Sequence, residues 1–176
     1  MKYDVTVVSK GIALGKAYVY KPFVPDVTET IVDDANVEAE LAIFDKALAS
    51  AEVELNNLVD MVMKKDPDKA MIFEAHKAIL NDDDICTDIK DSISGMKYSA
   101  EWAIMFVYNQ NIEILSAVDD PLIKERVADL YDVRNRMLRC AKGLEEVTLA
   151  SLKEQVVVVA DDLFPSDTVV MDKEKV

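Results

Sequence analysis

The side chain with the most chemistry to offer is His76, the one histidine in the sequence. An imidazole accepts a phosphoryl group or works as a general base near neutral pH. Either role needs an activating partner, and the acid nearest in sequence is Glu74, two positions away on a helical stretch where i and i+2 side chains point apart. A structural or docking role for His76 therefore outweighs phosphorylation. Asp82-Asp83-Asp84 has the look of a cation loop, but it lacks the following glycine and the distal glutamate of the helix-loop-helix calcium pattern, and reads as a solvated kink. Gly11 and Gly15 are followed by a strand-like segment rather than by a helix N-terminus, so they form a turn and not a phosphate cradle. Cys86 and Cys140 have neither zinc-site nor CxxC spacing and read as buried free thiols.

Elements must now be found to position these groups. The 176 residues are 51% apolar and 31% charged, the composition of a folded soluble chain. No stretch reaches the roughly 20 apolar residues of a bilayer span and no signal pattern opens the chain, so a cytoplasmic location is expected. Acids outnumber bases 34 to 20, a net charge of −14. That balance disfavours nucleic acid and anionic membrane and favours a basic partner.

Two β-like runs, Val5-Thr6-Val7-Val8 and Ala17-Tyr18-Val19-Tyr20, predict a hairpin or a pair of nearby strands. Pro22 to Thr30 reads as an extended linker. A long helix follows, capped among Asp33, Asp34 and Asn36, with apolar residues from Val37 to Val62 at alternating steps of four and three; it ends near Lys64 and Lys65 ahead of Pro67. A second helix is predicted from about Asp68 as its cap, interrupted at Asn81 to Asp84 and resumed up to Gly95. A third spans about Ser99 to Val118, and a fourth opens at Asp120-Pro121 and closes at Gly143. Val156 to Ala160 is a β-branched run typical of a strand covered on both faces, and Asp161 to Asp167 leads into a short helix. The fold class expected is mainly α: a four-helix bundle with one helix kinked, residues 33–145, inserted into a partial α/β domain of residues 1–32 and 146–176.

Four segments in this order, Lys10 to Ala17, Ala70 to His76, Lys124 to Leu130 and Val158 to Ser166, resemble the N-terminal region of the Enzyme I family, the phosphoenolpyruvate-protein phosphotransferases of bacterial sugar phosphotransferase systems. The resemblance implies that the α/β part is a phosphohistidine-type domain and that the helical insert docks the small carrier protein HPr. It implies phosphoenolpyruvate and magnesium in a C-terminal domain of the complete enzyme, which is a homodimer through that domain, and no cofactor in this chain. The family's acceptor histidine lies in a Gly-Gly-x-Thr-Ser-His segment that does not occur here, so this chain alone is expected to be inactive. Carried across residue by residue, the apolar docking set is Ile72, Ile79, Ile85, Leu115 and Ile123, with polar contacts at Asp68, His76, Asp84 and Arg126. Three positions depart from the family pattern: Lys10 replaces a common proline, Pro67 a frequent acid, and Ala78 a larger apolar residue. Without the resemblance the isoleucines read equally as core. The rival function is a helical histidine-phosphotransfer or adaptor module centred on His76.

Overall fold

The first long helix, α1 (Val37–Met63), owes its length to a stripe of Phe44, Ala47, Ala51, Leu55, Leu58 and Val62 at steps of three and four, all buried on one side. A single 3-10 turn, Asp34–Asn36, leads into it. The computed structural model describes residues 9–64, 66–145, 149, 152–161, 163–172 and 174–176. Among them four more helices follow α1 through short turns: α2 (Pro67–Leu80), α3 (Asp83–Met96), α4 (Ala100–Ser116) and α5 (Pro121–Ala141). α1 packs on α2 and α5, α4 on α3 and α5, and α2 on α5. Phe73, Ile89, Ile93, Ile104, Tyr108, Val133 and Leu138 fill the space between them.

Three boundaries differ from those predicted. α2 starts at Pro67, with Asp66 as its cap accepting a hydrogen bond from the Lys69 N–H at 3.3 Å; Asp68 sits inside the first turn. Proline suits the first helical position because its missing N–H would be unpaired there in any case. The predicted kink is a full break, because Asp82 accepts from the N–H groups of Asp84 and Ile85 at 3.1 and 3.0 Å and so starts a new helix. The bundle thus has five helices where four, one of them kinked, were expected. α3 also runs through Gly95 and stops at Lys97, whose φ of 58° takes the left-handed form that ends helices. Lys97 is anchored there by an ion pair with Asp34.

Strands β1 (Lys16–Val19) and β2 (Val156–Val159) pair in parallel, Lys16 opposite Val156 and Val19 opposite Val159. The first β-like run, Val5 to Val8, lies outside the described residues. β2 is not covered on both faces: Val156 is buried, while Val159 is 49% exposed. Its only described neighbour is β1. Gly15 lets the two strands approach closely where β1 begins, since a Cβ there would stand 3.3 Å from a methyl of Val157. A short helix, α6 (Pro165–Val169), follows β2 as predicted. Tyr20, Leu149, Leu152 and Val156 form a second, smaller apolar cluster beside the bundle core. The stretch from Pro22 to Thr30 forms no helix or strand, but Phe23 and Val27 lie against the bundle.

Charge also ties α1 to α5. The Glu54 carboxylate accepts from Arg136 at 2.7 Å and from Arg139, and both guanidiniums are almost fully buried. Burial alone would push Glu54 up, but the two guanidiniums outweigh it and hold the carboxyl below the ordinary glutamate value of 4.5. A carboxyl lowered by folding adds stability above its unfolded value and loses it as pH falls through the folded one. Urea unfolding is therefore expected to show the wild-type chain weakening below about pH 4.5. The Glu54→Gln chain should be less stable at pH 7 and show a flatter acid limb. At the α2 cap, Asp66→Ala should lower unfolding stability by about 1 kcal/mol, whereas Asp68→Ala should change it by a few tenths at most.

Candidate partner-docking site

The expected docking residues all lie on helices rather than in loops. Ile79 closes α2 and Ile85 opens α3, separated by the tight turn at Asn81 and Asp82. α3 and α4 are packed and joined by three residues, which makes them antiparallel neighbours. Counting ~1.5 Å per residue from that turn, Ile85 and Leu115 come to the same far end of the pair. A second short turn carries the chain from Leu115 on α4 to Ile123 on α5. The circuit closes from α5 back to α2 through Arg126, whose guanidinium lies 3.4 Å from Asp129 Oδ2, and through Asp129 Oδ1, which lies 3.1 Å from His76 Nε2.

Burial divides this set. Ile72, Ile79, Leu115 and Ile123 are half-buried, while Asp68, Asp84 and Arg126 are exposed. Ile79 and Leu115 rest against the bundle core with part of their surface outward. Two residues differ from a surface assignment. Ile85 is only 9% exposed, at the edge of the core. His76 has no exposed surface at all. Its ring meets Phe73 edge-on at 5.7 Å, its Nε2 faces Asp129, and its Nδ1 stands 3.7 Å from Asp132 Oδ2. The imidazole is drawn inward because α5 offers carboxylates to both of its nitrogens, and it forms the floor between α2 and α5 rather than part of the outer face.

Asp129 and Asp132 escaped the sequence reasoning. Their spacing of three places them on one face of α5, which was visible, but nothing in the sequence said that this face meets His76. Asp132 Oδ1 in turn accepts a hydrogen bond at 3.1 Å from the hydroxyl of Ser166, on α6. Among the described residues no cluster of His, Cys, Asp and Glu has the makings of a metal site, Asp82 to Asp84 included. The thiols are poor nucleophiles. Burial, followed by the Glu54 charge, pushes Cys140 up to about 11, and burial raises Cys86 as well. No described helix is long and apolar enough to cross a membrane.

Residues 6–126 match the family model for the PEP-utilising enzyme, N-terminal. A phosphoenolpyruvate-protein phosphotransferase of Bacillus subtilis (strain 168) is 34% identical over 167 residues, and one of Haemophilus influenzae is 36% identical over 171. Those matches take in 94% and 96% of this chain, which spans 29% of the length of either relative. A solution structure of an Enzyme I protein superposes with a TM-score of 0.80 at 34% identity, over 92% of this chain and 65% of that one. The N-terminal domain of a nitrogen Enzyme 1 shares the fold, with a TM-score of 0.68 at 20% identity. With more than half of its residues matching the family model and its bundle superposing on a solved relative, the chain belongs to the family of PEP-utilising enzyme N-terminal domains.

Proposed function

We propose that the chain is the carrier-docking portion of a phosphoenolpyruvate-protein phosphotransferase, and that the ring of helix ends on α2 to α5 receives a small phosphocarrier protein of the HPr kind. The observation that supports this reading is the burial pattern of the positions carried over from the family: Ile72, Ile79, Leu115 and Ile123 are half-buried on α2, α4 and α5, and Asp68, Asp84 and Arg126 are exposed on α2, α3 and α5. An apolar centre supplies burial energy, and a charged rim supplies register and approach rate. Ile85 and His76 support the centre from beneath, and a net charge of −14 steers a basic partner. Residues 33–145 act as the docking domain, and residues 1–32 with 146–176 belong to an α/β phosphohistidine-type domain. The rest of a longer enzyme would bring phosphoenolpyruvate, magnesium and the acceptor histidine, and would form the homodimer in the cytoplasm. In that chemistry the part played by this chain is to hold the acceptor protein.

The rival, phosphorylation of His76 itself, conflicts with its burial. A donor must reach an imidazole nitrogen in line, and Nε2 is held against Asp129 while the ring has no exposed surface.

Titration of isotopically labelled HPr with the folded chain is expected to shift resonances around the carrier's active histidine. Ile72→Asp, a charge set into the apolar centre, should weaken binding at least about tenfold, and Arg126→Glu should change it by a smaller factor that depends on salt. Incubation with phosphoenolpyruvate and magnesium should leave His76 without acid-labile phosphate. A folded chain that leaves millimolar HPr unshifted would end the docking assignment.

A further inference from the structure

The short helix α6 touches both apolar clusters. Val169 and Val170 lie against the bundle core, and the flanking Leu163 and Met171 lie against the smaller cluster with Tyr20. Asp167 accepts from the Tyr20 hydroxyl at 2.6 Å through one oxygen and from the Phe164 N–H at 2.9 Å through the other, which fixes the first turn. Ser166 faces the bundle and donates its hydroxyl to Asp132 Oδ1, both residues being buried. The other oxygen of Asp132 looks at His76 Nδ1 across 3.7 Å, and neither of those two buried atoms has a hydrogen-bond partner.

That gap is too long for a hydrogen bond, whose N···O separation is about 2.7–3.2 Å. Two desolvated polar atoms facing each other unpaired are strained toward closing, by roughly half an ångström or more. Closure requires the Asp132 carboxylate to turn toward α2 or α2 to shift toward α5. The Ser166 hydroxyl resists the first, because it holds Oδ1 toward α6. Closing the gap would give this joint between α2 and α5 a second arrangement, and the hydroxyl on α6 favours the open one found here. His76 sits on α2 four residues from Ile72 and three from Ile79, so any shift of its ring is carried to the half-buried isoleucines.

We propose that Asp132 is a positioning residue through which Ser166 on α6 sets the placement of the α2 docking face, so that events at the α/β part and carrier binding at the bundle are coupled. This rests on the docking reading for its consequence, although the joint itself is a property of the chain alone. By linkage, a partner seated on α2 alters the Ser166–Asp132 contact by the same free energy with which that contact alters the partner's affinity.

The test uses the whole 176-residue chain with labelled isoleucine and valine methyl groups. In the absence of any partner, Ser166→Ala should move the methyl resonances of Ile72 and Ile79 and leave Ile93 and Ile104, deep in the core, in place. Ser166→Thr, which keeps the hydroxyl, should restore the wild-type positions and controls for folding. With HPr added, Ser166→Ala should weaken binding by roughly three- to tenfold, inside the roughly two- to thirtyfold range of such coupling. Asp132→Asn alone should do the same, and the double variant should be no weaker than either single one. Shifts confined to Val169 and Val170, or additive losses in the double variant, would overturn the joint. A wild-type chain that ignores HPr defeats the docking reading, whereas the partner-free methyl response of Ser166→Ala still decides the joint.

Discussion

Asp129 on α5 holds the imidazole of His76 where it has no exposed surface, with Asp132 one turn further on facing its other nitrogen across 3.7 Å, and this arrangement sets the rotation of α2 about its own axis. A buried imidazole is tolerable only where its nitrogens meet polar partners. With His76 committed to α5, the helical advance of ~100° per residue puts Ile72 about 40° and Ile79 about 60° to the same side of it, on one shoulder of the seam, with Phe73 and Leu80 on the other. Phe73 and Leu80 then turn into the core, and Met71, 63% exposed, faces outward. The half-buried apolar strip is a consequence of where the histidine must go. A histidine pointing elsewhere would leave these isoleucines either sealed in or fully in water.

Charge acts at two depths in this bundle. The exposed acids at Asp68, Asp83 and Asp84 interact through water and contribute little to stability, but they shape the field that an approaching molecule meets. Glu54, by contrast, answers two guanidiniums that are nearly sealed from solvent, and its loss would strand them. The first group governs approach and the second cohesion, so the excess of acids over bases leaves the bundle's electrostatic integrity untouched.

Much of the helical layout was legible in the sequence, for physical reasons. The steps of three and four from Val37 to Val62, the helix start near Ser99 and the Asp120-Pro121 opening each reflect a local preference that the tertiary structure also satisfies. The break at Asp82 was visible only as an interruption, since an aspartate in a polar run does not announce whether it bends a helix or starts another. Lys97 in the left-handed region was hidden, because its carbonyl accepts a hydrogen bond from the N–H of Val32, more than sixty positions away. The same limit applied at the site. Ile72, Ile79 and Arg126 are expected docking positions only through family likeness, whereas the Asp129–His76–Asp132 contact depends on the mutual rotation of two helices that no single segment encodes.

The parallel pairing of β1 with β2 has a consequence for how the chain acquires its shape. Parallel neighbours cannot be joined by a tight turn, and here the crossover between Val19 and Val156 contains the entire helical bundle. Bringing such distant segments together from an open coil is entropically expensive and slow. Helices built on local contacts form first and shrink the gap, so the bundle is a prefolded bridge that delivers the two strands to each other. During synthesis on the ribosome, β1 emerges early and can meet β2 only after the whole bridge has been made.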